Sequence, residues 1–419
     1  MKIKELIHRA ASNTLARDSA IVFAGSMVAN IGSYVYHLLM GRLLGPAMYG
    51  EFSSLLSILY IFTVPLLVGQ TVLVKFISGF KAHGEVGQAK SLFLEVTKKA
   101  LIVCLIGLPV AWIGAPSVTA FLHLQSTTLF MMVYVLFVVS LLTIITTSML
   151  HGYQKFLWFS ILTSGAIIVK VIISIPFVQF GIVGVLAAAI VTALLIYGLF
   201  FIPLRFVLRN KALPTKLTRQ EAFGFAVPTL LTLLGITSIY STDIILVRHF
   251  FPPKEAGLYA ALAILGKIIF YASSSIAMVL FPVLSERSAK GSATKKLVSS
   301  SILAVAAISA AITAGYFLFP DFIVRMLFGN SYVGAGTLLG MFGVFIAFFS
   351  VGNIVINACL GIGKTGIWVV PTACAIFQIA AISIFHTSLS MIIYIDIAAG
   401  VLLAAGALGY YLAKTYEKV

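Results

Sequence analysis

Apolar residues run in long blocks along almost the whole chain, and short polar stretches separate them. A helix crossing the ~30 Å hydrocarbon core of a bilayer needs about 20 consecutive apolar residues. The blocks predict twelve such helices, at 19–41, 53–78, 100–121, 128–150, 156–178, 181–204, 222–246, 257–284, 298–319, 333–358, 366–385 and 389–413. Residues 1–18 mix Ile3, Leu6, Ile7 and Leu15 with Lys4, Arg9 and Arg17, the pattern of a short interfacial helix. The apolar run after Asp18 is too long for the core of a cleavable signal. The longest polar interruption, 205–221, splits the chain into two sets of six spans, 19–204 and 222–413, with a tail at 414–419.

Composition narrows the classes. Of 419 residues 61% are hydrophobic and 10% charged, with a mean hydropathy of +1.10. Soluble domains carry about 25% charged residues, so a soluble enzyme, a disordered chain and a nucleic-acid-binding domain are all excluded. No polar stretch is long enough for an ectodomain. Cys104, Cys359 and Cys374 all lie in apolar runs and suggest neither disulfides nor a metal site.

The net charge of +16 is a matter of loops. With both termini inside, the cytoplasmic segments hold 21 Lys and Arg, and the outer segments hold 4: Arg42, Arg248, Lys254 and Arg325. Positive charge collects on the cytoplasmic side of membrane proteins, which sets the expected orientation. The other three basic residues, Lys75, Lys170 and Lys267, stand inside spans.

The two sets of spans share landmarks. Arg42-Leu-Leu-Gly-Pro-Ala-Met-Tyr-Gly50 follows span 1, and Arg248-His-Phe-Phe-Pro-Pro-Lys-Glu-Ala-Gly257 follows span 7. Gly152-Tyr-Gln-Lys155 follows span 4, and Gly361-Ile-Gly-Lys364 follows span 10. Equal punctuation at nearly equal separation signals a duplication. An even number of spans per repeat gives both halves the same orientation, with a pseudo-two-fold axis along the membrane normal and a site near the midplane.

Polar residues inside the spans fall on single helical faces. Ser19, Ser26, Asn30, Ser33 and His37 share a face of span 1; Ser53, Ser57, Tyr60, Thr71 and Lys75 share one of span 2. Span 5 has Ser160, Thr163, Lys170 and Ser174, and span 8 has Lys267, Tyr271, Ser274 and Met278; span 7 adds Thr232, Tyr240 and Asp243, and span 10 adds Asn353 and Asn357. An offset of 206 carries His37 onto Asp243, and one of 207 carries Tyr60 onto Lys267. Hydroxyl and amide stripes also serve as glue between helices, and Lys75 is close enough to its span end to snorkel to the interface. Buried ionisable groups, in contrast, face a cavity or a partner. A cavity lined by Lys170, Lys267, Tyr60, Tyr271, Asn30, Ser33 and Lys75 is mildly cationic and suits an anionic phosphate or diphosphate. His37 and Asp243, near the outer span ends, are candidates for ion coupling or for packing with an outer arginine. Asp396, outside any stripe, is read as a structural partner.

Two patterns are decoys. Gly361-Ile-Gly-Lys-Thr-Gly366 imitates a phosphate loop, but no strand precedes it and position 358 is Ala358. Only four aspartates occur, with no D-x-D pair, and the outer loops are too short to carry a glycosyltransferase site. The chain is expected not to be an enzyme and to need no cofactor or metal.

The segment Gly41-Arg-Leu-Leu-Gly-Pro-Ala-Met-Tyr-Gly-Glu-Phe52 resembles the motif after span 1 in the polysaccharide transporter branch of the multidrug/oligosaccharidyl-lipid/polysaccharide flippase superfamily. Leu150-His-Gly-Tyr-Gln-Lys-Phe156, Asp243-Ile-Ile-Leu with Ala256-Gly-Leu-Tyr-Ala260, and Phe328-Gly-Asn-Ser-Tyr-Val-Gly334 are similar to that family's later turns. The resemblance implies an all-α bundle of two six-helix lobes and an alternating-access flippase for lipid-linked oligosaccharides. Lipid II flippase relatives use arginines in their cavity; here the spans carry lysines. The reading is therefore a flippase for a polyprenyl-diphosphate-linked glycan, monomeric, in the cytoplasmic membrane, in contact with membrane lipids and with no nucleic-acid partner. Other polysaccharide-assembly proteins are candidate partners. The rival reading is a cation-coupled multidrug exporter of the same superfamily.

Overall fold

The computed structural model describes residues 14–214, 220–289 and 295–416. Most of the expected interfacial segment 1–18, and parts of the 205–221 linker and of the tail, lie outside the described residues.

The described residues are helical, with no strand among them. In chain order the helices are α1 Thr14–Ala82, α2 Val86–Leu122, α3 Thr127–Gly152, α4 Phe156–Phe177, α5 Gly181–Leu208, α6 Gln220–Ile239, α7 Thr242–Phe250, α8 Pro253–Ala289, α9 Lys295–Leu318, α10 Pro320–Phe328, α11 Gly336–Gly361, α12 Val369–Ile384 and α13 Leu389–Tyr416. Nine described stretches are long and apolar enough to cross a membrane, and α6 with α7 forms a tenth, bent by 41°. Two of the nine, Ile21–Ala82 (62 residues) and Phe156–Leu208 (53 residues), are each long enough for two crossings. The total is the twelve spans expected. Ile106, Trp112 and Ile113 of α2 are 66%, 69% and 77% exposed, a surface that only hydrocarbon covers favourably. The protein is a multi-pass membrane protein.

Three expected boundaries are corrected. The loop expected at 42–52 is helical, and α1 runs through it with a kink at Gly45 (φ 73°, ψ 170°). The loop expected before residue 100 is also largely helical, since α2 starts at Val86. There Ala89, Leu92 and Phe93 recur on one face and pack on Ile77, Met149, Phe200 and Leu204. That apolar stripe is one-sided and so reads as loop on a hydropathy scale. Span 7 is broken at Tyr240–Ser241, and the Ile239 carbonyl at the break accepts from Gln378 Nε2 at 3.0 Å.

The chain folds into two compact units. The first holds the described residues of Met1–His37, Pro65–Ala120 and Gln125–Ala222; the second holds Leu38–Val64, Phe121–Leu124 and Phe223–Val419. In the first, α3 and α4 pack on α5, and α1 meets α4 at Gly25 and Gly32, whose missing side chains admit Ser160 and Ile167. In the second, α11 is the central helix, flanked by α8, α9 and α13. Gly340, Gly343 and Gly352 lie at its contacts with Phe317, Tyr316 and Leu403. A helix packed on several sides needs such small residues to let its neighbours close.

Candidate functional site

In the first unit, Lys170 projects from α4 and its Nζ lies 3.9 Å from the centroid of the Tyr36 ring. In the second, Lys267 of α8 has Tyr60 at 5.3 Å and Tyr240 at 5.9 Å from its Nζ. An ammonium over an aromatic face is held by the ring quadrupole, and desolvation strengthens the attraction. Neither lysine is in an ion pair among the described residues. Asp243 is the acidic group whose charge reaches Lys267. Both lysines thus lie against neutral rings, and Lys267 also feels the charge of Asp243. Tyr271 follows Lys267 by one helical turn on α8 and is half-buried.

Below the break between α6 and α7 lies a sealed polar cluster. Asp243, in the first turn of α7, accepts from its neighbour's amide, Ile244 N to Oδ1 at 2.8 Å. The Tyr259 hydroxyl of α8 is 2.7 Å from Asp243 Oδ2 and 2.6 Å from Asp396 Oδ2 of α13. Gln378 of α12 donates from Nε2 to Asp396 Oδ1 at 2.7 Å. All four side chains are at most 1% exposed. The phenol has one proton to give. It satisfies one carboxylate, and the other contact is a hydrogen bond only when that carboxyl carries a proton and donates it to the phenol oxygen. For both contacts to be hydrogen bonds, one of the two carboxyls must carry a proton. Two bare carboxylates would repel across so short a bridge.

A third set of contacts lies beyond this cluster, in the second unit. Arg248, at the end of α7 and 4% exposed, donates from Nε to Leu122 O at 3.0 Å and from Nη2 to His123 O at 2.8 Å. Its Nη2 is 3.5 Å from the buried Glu51 Oε2. Arg42 donates from Nε to Leu327 O at 2.8 Å and from Nη2 to Met326 O. Each arginine caps the last carbonyls of a helix, α2 for Arg248 and α10 for Arg42. Between them Gly50 meets Gly257, and a Cβ on Gly257 would collide with the Pro46 carbonyl. The landmarks that mark the repeat in the sequence, Arg42–Gly50 and Arg248–Gly257, are packed together.

The other expected residues are placed as follows. Asn30 and Ser33 of α1 are half-buried, and Lys75 is exposed. His37 is 6% exposed, with its ring edge-on to Tyr36 at 5.8 Å. Part of the hydroxyl stripe of α4 serves as glue: Ser160 Oγ donates to Ile21 O at 3.1 Å, and Ser164 Oγ to Gly25 O at 2.8 Å. The span 2 stripe divides, with Ser53 and Ser57 buried in the second unit and Thr71 exposed. The side chains of Ser19, Ser274 and Met278, members of the expected stripes, lie outside those described. Of the outer arginines, Arg248 pairs with Glu51, while Asp243 bonds to Ile244 N and Tyr259. Among the described residues no group of three His, Cys, Asp or Glu is placed to hold a metal.

Comparison with known proteins gives the chain its place. The sequence profile of the polysaccharide biosynthesis protein family matches residues 15–288, well over half of the chain. The protein belongs to that family. No curated protein matches its sequence significantly. Its fold is shared with several solved transport proteins at low sequence identity. It is similar to the structure of "Lipid II flippase MurJ, inward closed conformation" (TM-score 0.72, 14% identity, 94% of this chain and 87% of that one). It also resembles an inward-facing multidrug resistance MATE transporter of the MOP superfamily (TM-score 0.70, 16% identity, 92% and 96%) and a mutant form of the Vibrio cholerae MATE transporter VcmN (0.66, 14%, 96% and 97%).

Sequence reasoning missed Tyr36, Tyr259, Gln378 and the Glu51–Arg248 pair. Tyr259 and Glu51 both stood inside quoted family motifs, in Ala256-Gly-Leu-Tyr-Ala260 and Tyr49-Gly-Glu-Phe52. Gln378 stood alone in an apolar span, where an amide needs a partner.

Proposed function

We propose that the family member is an alternating-access flippase that carries a polyprenyl-diphosphate-linked oligosaccharide across the cytoplasmic membrane. Lys170 and Lys267 hold the diphosphate. The observation that carries this reading is the placement of those two ammonium groups on tyrosine faces, outside any ion pair among the described residues. Structural lysines in apolar surroundings are ordinarily paired; a point charge left open suits an incoming phosphate. Tyr60 and Tyr271, with Asn30 and Ser33, offer rings and polar groups to the sugars. The charge asymmetry of the loops supports cytoplasmic termini. MurJ is a lipid II flippase by name, and the matching family is one of polysaccharide biosynthesis. Coupling belongs to Asp243, Tyr259 and Asp396, where a carboxyl proton gives the carrier a group to exchange. His37 remains a second candidate for that role.

The test is a glycan-export assay on Lys170→Gln, Lys170→Glu, Lys267→Gln and Lys267→Glu at equal membrane levels. Gln and Glu have nearly equal bulk, so the difference between them isolates charge. Glu is expected to abolish export where Gln only weakens it. A cation-coupled drug exporter, with a cationic substrate, gives the reverse order. Equal behaviour of Gln and Glu at both sites removes the lysines from the head-group site.

A further inference from the structure

The basic residues at one end of the first unit, the cytoplasmic end in the expected orientation, fall into two groups. Some are occupied by the protein itself. Lys90 Nζ donates to Leu208 O at 2.7 Å and to Asn210 O at 2.8 Å, closing the end of α5. Lys81 Nζ donates to Gln154 Oε1 at 2.5 Å, and Lys99 pairs with Glu95 at 2.5 Å. Lys155, Arg205 and Arg209 are exposed, and their charged groups make no hydrogen bond or ion pair among the described residues. The chain offers them little to pair with, since no Asp or Glu occurs from residue 96 to residue 220.

These three cations meet around one ring. Lys155, at the start of α4, puts its Nζ 5.5 Å from the centroid of the Phe206 ring. Tyr153 packs edge-on against the same ring at 4.9 Å. Arg205 and Arg209 flank Phe206 on α5 and, as i and i+4, lie about 5–6 Å apart at Cβ.

Helical phase says which way the cluster faces. Phe200, Leu204 and Val207, each 1% exposed, turn one side of α5 into the unit. Leu195, Leu199, Ile202 and Phe206 form an exposed stripe on the other side. Hydrocarbon covers such a stripe favourably, and water does not. Arg205 and Arg209 stand on this same face, where the stripe ends. Beside Lys155, Leu157 and Trp158 of α4 are exposed as well, and tryptophan collects at the level of the lipid head groups. The cluster therefore stands where hydrocarbon gives way to head groups.

Charge decides which head group. A zwitterionic lipid brings its own cation, which three unpaired cations repel; an anionic phosphodiester brings none. Arginine forks match phosphate oxygens in pairs, and basic residues near a membrane surface attract anionic lipids. Snorkelling alone would carry each side chain to whatever head group lies nearest. Convergence from two helices on one ring makes a place for one phosphate. We propose that Lys155, Arg205 and Arg209 bind the head group of an anionic phospholipid whose acyl chains lie along the exposed faces of α4 and α5. The lipid is a companion of the first unit, tying the start of α4 to the end of α5. It is distinct from the carried glycolipid, and none of its three ligands belongs to the lysine site, the carboxyl cluster or the arginine caps.

The experiment uses the full-length protein in phosphatidylcholine vesicles with a minor share of phosphatidylglycerol, and reads quenching of tryptophan by acyl-brominated versions of each lipid. The tryptophans are Trp112, Trp158 and Trp368. Trp112→Phe with Trp368→Phe keeps Trp158 beside the cluster. Trp158→Phe with Trp368→Phe keeps Trp112, the lipid-exposed control on α2. At Trp158 phosphatidylglycerol is expected to be preferred over phosphatidylcholine by at least about fivefold, the attraction of one surface cation; at Trp112 no preference is expected. Arg205→Gln with Arg209→Gln is expected to bring Trp158 close to parity while quenching at Trp112 is unchanged, which confirms a folded protein. Arg205→Lys with Arg209→Lys keeps the charge and is expected to keep most of the preference. Parity at Trp158 in the parent, or a preference that survives the Gln pair, overturns the proposal. An equal preference at Trp112 means general enrichment of anionic lipid around the protein, and the site falls. Loss of the preference on adding inorganic phosphate assigns the cations to a soluble anion and also overturns it. Quenching requires no transport, so the outcome is independent of the lysine assay.

Discussion

Arg42 and Arg248 stand at matching places in the two halves of the sequence, and each closes the carboxyl end of a helix by donating to its last carbonyls. Their settings differ. Arg42 is exposed, and its carbonyls on α10 share it with solvent. Arg248 is buried beside Glu51, at the end of α2. The residues that turn the chain after each capped helix differ as well. Gly329 follows α10 with φ 94°, whereas His123 follows α2 with φ 50°. Glycine adopts left-handed backbone without penalty, and a residue with a Cβ does not. One sequence landmark has thus become a rim contact in one place and a desolvated ionic lock in the other. The chemistry of the contact is the same, and burial decides its weight.

Breaking the buried member has the largest expected effect. Arg248→Ala removes one side of a buried ion pair with Glu51, and such a loss costs about 3–5 kcal/mol. A large drop in melting temperature of the purified protein is expected, and Glu51→Gln is expected to fall nearly as far. The double variant Glu51→Met with Arg248→Met removes both charges at similar volume and is expected to recover most of the loss. A double variant as unstable as Arg248→Ala would show that the two carbonyl caps, rather than the ion pair, carry the stability.

The turn residues sharpen the comparison at a smaller scale. Gly329→Ala meets no atom within 4 Å of the new Cβ, so its cost is purely conformational. With ψ at 177° this backbone is essentially restricted to glycine, and a destabilisation of about 1–3 kcal/mol is expected from forcing alanine into it. Arg42→Ala, exposed and shared with solvent, is expected to lose no more than about 1 kcal/mol. His123→Gly has the smallest effect. Relief of the left-handed backbone is offset by glycine's extra freedom when unfolded, about 0.5–1 kcal/mol, and by loss of the His123 ring stacked 5.9 Å from His249. A melting temperature within a degree or two of the parent is expected; a clear drop would assign that stack a structural role.

The candidate site was legible in part. Lys170, Lys267 and Tyr60 stood out because a charge or a phenol in an apolar run has few ways to be stable. The repeat offset linked Tyr60 to Lys267, and the two meet in the fold at 5.3 Å. Tyr240 was noted beside Asp243 in span 7 but not tied to Lys267, and Tyr36 was passed over because nothing in the sequence says that Lys170 reaches its ring. Asp396 was read as a structural partner, and its bonds to Tyr259 and Gln378 supply the partners. The hydroxyls at Ser160 and Ser164 share a helix with Lys170 yet serve as glue. Phase along one helix says which residues share a face, not what that face meets.

What the sequence determined by itself was the number of spans, the all-helical class and the landmarks of the two halves. Those follow from properties local to each segment: twenty apolar residues must satisfy their own backbone in a bilayer, and punctuation can be counted. The tertiary structure decided where span 7 breaks, that residues 86–99 are helical, that Asp243 bonds to Tyr259 while Arg248 takes Glu51, and that the Phe206 ring comes to lie beside Lys155. Each of these depends on which distant side chain arrives beside a polar or small residue. Asp243 and Asp396 are separated by 153 positions in the chain and by one hydroxyl in the fold. Burial makes that pairing obligatory, because a polar group out of reach of water is stable only beside its partner.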